Sequence, residues 1–166
     1  MRIQSDYLVV GSGVAGLYFA LKAAEHGSVT LVTKRETRES NTSYAQGGIA
    51  SVSAGDDSAE MHVRDTLEAG AGLCDPVAVE VGVREGPALV EELIDLGTRF
   101  SRKSSGELSL GREGGHSRAR IVHADDLTGQ EVSRALQATL ASMPSVSVFD
   151  YHLVVDLIVD QTPRCR

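Results

Sequence analysis

Residues Gly11-Ser12-Gly13-Val14-Ala15-Gly16 place three glycines in the spacing GxGxxG. Between a strand and a helix, that spacing brings main chain close to a pyrophosphate. Gly11 permits a tight turn, Gly13 lets the backbone approach the phosphates, and Gly16 lets helix and strand pack closely. The N–H groups and positive dipole end of the helix then face the anion. A glycine-rich turn that only packs is the bland alternative. A second stretch, Asn41-Thr42-Ser43-Tyr44-Ala45-Gln46-Gly47-Gly48, carries amides, hydroxyls and a glycine pair without a hydrophobic period. It supplies donors without adding charge, and Gly47-Gly48 lets the backbone pass beside a flat ring. A flavin needs those features: donors to its ring heteroatoms and phosphates, and steric room. An ordinary flexible surface loop is the competing reading.

Between these stretches, a dinucleotide fold often carries an acid for the ribose hydroxyls at the end of its second strand. Thr33 stands there instead, followed by Lys34, with Glu36 slightly beyond. Glu36 is either a displaced substitute or a solvated loop charge. Lys34 faces the adenosine phosphate or ribose, or simply solvent.

The elements that must position these residues follow from pattern. Residues 6–10 (DYLVV) predict a buried parallel strand that stops at Gly11. Residues 14–26 predict a helix stopped by Gly27, and 28–33 (SVTLVT) a second strand. Residues 34–56 and 101–120 read as irregular, Gly/Ser-rich segments. Helices are expected at 60–69, at 76–96 and at 126–141. In the second, apolar residues fall at 77, 81, 89, 90, 93, 94 and 96, Gly97 is the C-cap, and Pro87 should kink or divide the helix. Strands follow at 146–149 and 153–159. The order predicts an α/β, Rossmann-like domain with a parallel sheet, of which residues 1–166 are the N-terminal part.

Composition narrows the partners. A formal charge of −7, 4% aromatic residues and no Trp argue against a nucleic-acid surface. Cys74 and Cys165 form no CxxC and no metal-ligand spacing, so they read as reduced thiols, Cys74 as a small core residue, and no metal is expected. No apolar run reaches the length of a membrane span and no signal-peptide core is present, so a cytoplasmic chain is expected.

GSGVAGL, TK, SNTSYAQGGIASV, HVRDTLEAGAGLCD and GREGGHSRARIVHADDLTGQEV together resemble the N-terminal part of the L-aspartate oxidases. These are FAD flavoproteins related to the succinate dehydrogenase and fumarate reductase flavoprotein subunits. The resemblance implies oxidation of L-aspartate to iminoaspartate, with hydride passing to the flavin and electrons on to oxygen or fumarate. The product would feed quinolinate synthase in de novo NAD biosynthesis. It also implies that Ser12, Gly13, Val14 and Ala15 lie on the FAD pyrophosphate, Lys34 near the adenosine, and Asn41 through Gly48 around pyrophosphate, ribityl chain and ring. The succinate dehydrogenase relatives carry a flavin-linked histidine early in this loop; Asn41 matches it here, which implies non-covalent FAD. Glu113 matches a glutamate that orients aspartate. His116 and His123 read as structural or as donors behind the substrate.

No matching motif assigns Arg112, Arg118 or Arg120 to the clamp that two substrate carboxylates require. In the family that clamp comes from a capping domain and from later sequence. The chain therefore reads as a fragment with part of a FAD site and a sheet incomplete at its C-terminal end. Such a piece, with an exposed edge, is expected to self-associate, which light scattering would test. Two alternatives to the oxidase stay open: a fumarate or succinate oxidoreductase, and a non-catalytic dinucleotide-binding module.

Overall fold

A computed structural model of the chain describes residues 2–158. Its elements are β1 (Tyr7–Val10), α1 (Val14–Ala23), β2 (Val29–Val32), a 3-10 turn at Asn41–Tyr44, β3 (Ile49–Ala50), α2 (Ala59–Ala69), α3 (Pro76–Asp95), β4 (Leu110–Gly111), β5 (Ile121–Val122), α4 (Thr128–Ala141) and β6 (Val146–Phe149). They fall into two compact units. One runs to Thr42 and resumes at Leu136; the other is Ser43–Ala135.

The first unit holds the expected α/β architecture. Its sheet has the order β1-β2-β6, parallel throughout, with Leu8 opposite Thr30 and Thr30 opposite Ser147. Val29, Thr30 and Leu31 of the central strand are all buried, which is why β2 reads as a continuous apolar and β-branched run rather than an alternating one. α1 packs on β1 and β2 through Leu17, Ala20, Leu21 and Ala23. Their helical spacing turns one face to the sheet, and each wholly buried leucine contributes about 2 kcal/mol. β1 begins one residue later than expected because Asp6 is occupied at the strand's foot. Its carboxylate accepts from the Ser28 N–H at 2.8 Å and the Ser28 hydroxyl at 2.6 Å.

The expected strand at 153–159 is not formed over 153–158, and Val159 lies outside the described residues. Leu153, Val155 and Ile158 are 72%, 89% and 77% exposed. A β-branched run becomes a strand only where a neighbour takes up its N–H and C=O groups, and no described strand pairs with this one.

In the second unit α2 and α3 pack together. Ser58 caps α2 by accepting from the Met61 N–H, and Asp75 caps α3 by accepting from the Val77 and Ala78 N–H groups. α3 runs undivided through Pro87, because Val83 on one side and Val90 and Leu93 on the other are buried and hold both halves in place. Val77, Val81 and Leu89, expected among its apolar positions, are exposed. Gly97 takes the left-handed conformation expected of a C-cap, at φ +92°. Cys74 is half-buried rather than core, with its thiol donating to the Thr66 carbonyl at 3.7 Å. The two segments read as irregular supply β3 and β4, which pair with β5, just past the second of them, in a small antiparallel sheet of order β3-β5-β4. Its two-residue strands are too short for any alternation to register.

Candidate functional site

In the first unit, the fingerprint loop joins β1 to α1 at the carboxyl end of the parallel strands. Gly11 has φ +103°, and its N–H donates to the Val32 carbonyl at 2.8 Å, locking the turn to β2. A Cβ on Gly16 would stand 2.0 Å from the Gly11 carbonyl oxygen, so α1 closes on the turn with no room for a side chain. Gly13 is the N-cap of α1 at φ −71°, ψ 173° and gives the helix no side-chain cap. Thr42 takes that role by accepting from the Val14 N–H at 3.0 Å. The main chain at the helix N-terminus is thus approachable on its Gly13 side, where a Cβ would meet only Thr42 Oγ1 at 3.5 Å.

One expected contact takes a different form. The Ser12 hydroxyl is buried and donates to Thr33 Oγ1 at 3.1 Å, so Ser12 presents its main chain to an anion. Thr33, at the place of the usual ribose acid, is buried and accepts this internal bond. Lys34 is exposed, as are Val14 and Ala15. Asn41 is exposed in the 3-10 turn that brings Thr42 to the helix.

In the second unit, the Ala45 carbonyl accepts from the Gly129 N–H at 3.0 Å, anchoring the Ser43–Gly48 segment. Gly48 lies flat against β5, where a Cβ would be 2.3 Å from Ile121 Cγ2. Tyr44, Ala45, Gln46 and Gly47 remain exposed. Glu113 is exposed on the turn after β4, and its Oε1 would lie 3.9 Å from a Cβ on Gly47. The fold therefore sets Glu113 beside the glycine pair, far from it in sequence.

Behind that turn lies a charged cluster that sequence reasoning did not find. Arg120 is fully buried and pairs with Asp57 through Nε at 2.9 Å and Nη2 at 2.8 Å. Its Nη1 reaches Asp65 Oδ2 at 2.7 Å. Arg120 is thereby excluded as a substrate clamp. Arg112 is engaged with the His116 carbonyl and Arg118 with the Asp56 carbonyl. The signal available in the sequence was the spacing of His62 and Asp65, three apart and so on one face of α2. Bonds from the Ser117 main chain and hydroxyl, together with Arg120, hold the Asp65 carboxyl well below the usual carboxylate range. Burial would lower the Arg120 guanidinium, but the two carboxylates more than reverse this and raise it.

His62 is buried and meets His116 edge to face, with ring centroids 6.1 Å apart. Both Nδ1 atoms are buried without a hydrogen-bond partner. Burial, then the charges of Arg120 and His116, push His62 below its ordinary value of 6.5, with Asp57 and Asp65 opposing. The unfolded chain thus binds a proton more readily than the folded one. This group's contribution to stability is full above pH 6.5 and shrinks as pH falls through the lower folded value. Urea unfolding should give a smaller free energy at pH 5 than at pH 7, with the difference reduced in His62→Asn; an unchanged difference would show that His62 is not its source. Among the described residues no group of three or more His, Cys, Asp or Glu side chains is arranged to hold a metal. No described helix is long and apolar enough to cross a membrane.

Residues 6–166 match the family described as FAD binding domain. The chain belongs to that family. It is 51% identical over 156 residues to the chloroplastic L-aspartate oxidase of Arabidopsis thaliana, covering 94% of this chain and 24% of that protein. With the L-aspartate oxidase of Streptomyces coelicolor it shares 46% over 164 residues, 98% of this chain and 28% of that one. Among solved structures it resembles an E. coli quinol fumarate reductase with a TM-score of 0.91 at 34% identity, over 97% of this chain and 28% of that chain. The chain thus spans 24–28% of these relatives' length. The residues fit the family's cofactor: in an FAD-binding domain the open approach at Gly13 is where a pyrophosphate needs main chain and no side chain.

Proposed function

We propose that this chain supplies part of the FAD site and the substrate-orienting acid of an L-aspartate oxidase, acting in the cytoplasm. The observation that carries the reading is the placement of Glu113 beside Gly47, which joins two segments that resemble the oxidases. Gly13, Val14, Ala15 and the Ser12 main chain would hold the pyrophosphate. Lys34 would lie toward the adenosine, and Asn41 through Gly48 along the ribityl chain and ring. When bound, FAD supplies the two-electron acceptor for hydride leaving the aspartate Cα. Glu113 would accept from the substrate ammonium, and in doing so separate aspartate from a dicarboxylate without an amine. Oxygen or fumarate would take the electrons onward, and iminoaspartate would pass to quinolinate synthase.

In a flavin-loaded whole oxidase that contains this chain, anaerobic L-aspartate is expected to bleach the visible flavin band. Glu113→Gln should raise KM for aspartate by roughly 10- to 100-fold, the value of one charge-assisted hydrogen bond. No bleaching with aspartate, but reoxidation of chemically reduced flavin by fumarate, would favour a fumarate reductase instead. The 34% identity to the quinol fumarate reductase supports that second reading.

Asn41 offers no nucleophile to a flavin ring, so FAD would be held without a covalent bond. Acid precipitation should release all the flavin to the supernatant; a yellow pellet would rule this out.

A further inference from the structure

We propose that Asp65 and Ser117 are positioning residues that set the Glu113 turn in place, an inference that rests on the reading of Glu113 above. The turn is short and closed: the His116 N–H donates to the Glu113 carbonyl at 3.2 Å, and Arg112 Nε donates to the His116 carbonyl at 2.8 Å. Gly115 supplies the left-handed residue it needs, at φ +85°. Nothing in these local bonds fixes the turn to the rest of its unit.

α2 does so, through two consecutive residues of the turn. The Ser117 N–H and hydroxyl both donate to Asp65 Oδ2, at 2.8 and 2.7 Å. The His116 ring meets the ring of His62, one helical turn before Asp65, at an interplanar angle of 88°. Asp65 is itself held by Arg120, whose other edge is taken by Asp57. Two carboxylates facing one guanidinium leave a net negative charge in a buried place. The paired donors of Ser117 satisfy that excess, so the charge that makes the cluster costly alone binds the turn to α2. Glu113, at the exposed end of the same turn, receives its position from this buried end.

The test uses Asp65→Asn, Ser117→Ala, Ser117→Thr and Glu113→Gln in a flavin-loaded whole oxidase that contains this chain. It reads KM for L-aspartate against KM for fumarate, which shares the two carboxylates and lacks the amine. Asp65→Asn and Ser117→Ala should raise KM for aspartate by about tenfold while moving KM for fumarate by less than about twofold. Ser117→Thr, which keeps the hydroxyl, should restore the wild-type ratio. Ser117→Ala is the mild change and keeps the test open should Asp65→Asn fold poorly. Equal shifts in both KM values would indicate general loosening and overturn the proposal. So would an unchanged aspartate KM in Ser117→Ala beside a raised one in Glu113→Gln. If Glu113→Gln itself changes nothing, the reading of Glu113 falls, and amide hydrogen exchange over residues 113–117 decides the placement alone. Faster exchange in Asp65→Asn or Ser117→Ala than in wild type sustains it, and equal exchange overturns it.

Discussion

Gly16→Ala is expected to destabilise the first unit by about 2 kcal/mol or more, the balance of two opposed effects. Alanine is a better helix former than glycine by about 1 kcal/mol, and position 16 lies in the first turns of α1. Against this, the added Cβ would sit 2.0 Å from the Gly11 carbonyl oxygen and 3.1 Å from its carbon, both main-chain atoms of the turn. Neither can swing aside as a flexible side chain would. Helix and turn must separate, at an overpacking cost of roughly 3 kcal/mol. Gly13→Ala supplies the contrast. Its backbone angles suit any residue, and its Cβ would meet only Thr42 Oγ1 at 3.5 Å. It should therefore stay within about 1 kcal/mol of wild type, a typical N-cap effect, while FAD affinity falls more than tenfold. Urea unfolding and flavin titration on both variants check this. Wild-type stability in Gly16→Ala would refute the close packing, and undiminished FAD binding in Gly13→Ala would move the pyrophosphate elsewhere.

The different fates of these glycines show where the pattern in the sequence was sufficient. β1, α1 and β2 are legible because each is a run of one kind of residue bounded by glycine, and β6 because Val146–Phe149 has a partner strand to complete it. The run at 153–158 has a similar β-branched and apolar composition but no described partner, and so forms no strand. Composition records propensity; pairing is a property of the fold. β3, β4 and β5 were invisible because two residues carry no period. The candidate site divides in the same way. The fingerprint glycines could be assigned roles from spacing, because their work is local. Arg120 could not, because an arginine in a Gly-rich segment reads as solvated. Its burial depends on Asp57 and Asp65, which lie 63 and 55 residues away. Thr33 stands where an acid is usual, and only the tertiary structure shows that its hydroxyl accepts a bond from Ser12.

Arg120→Ala is expected to be the most damaging single change in the second unit, costing about 3–5 kcal/mol. The side chains of Arg120 and Asp57 are 0% exposed and that of Asp65 is 8% exposed. An ion pair so buried is weak evidence for stability, since desolvation consumes much of its Coulomb energy. Removing one partner is another matter, because the desolvation cost of the others remains. Alanine at 120 would leave two carboxylates near one another, with the Ser117 donors on Asp65 and the Ser58 N–H on Asp57 but no counter-charge between them. Arg120→Lys would restore the charge but not the planar fork that reaches both acids, and should recover only part of the loss. The pH dependence identifies the cause. In wild type, Asp65 is held below its ordinary value of 3.8, so its contribution is complete above that pH and is lost only as pH falls through the lower folded value. In Arg120→Ala the stranded carboxyls are pushed upward by burial and mutual repulsion, and acid relieves them by protonation. The stability gap between the two proteins should therefore narrow from pH 7 toward pH 4. A gap that stays constant would assign the loss to the missing side-chain volume instead, and Arg120→Met, which refills that volume without charge, would then recover the stability that Arg120→Lys does not.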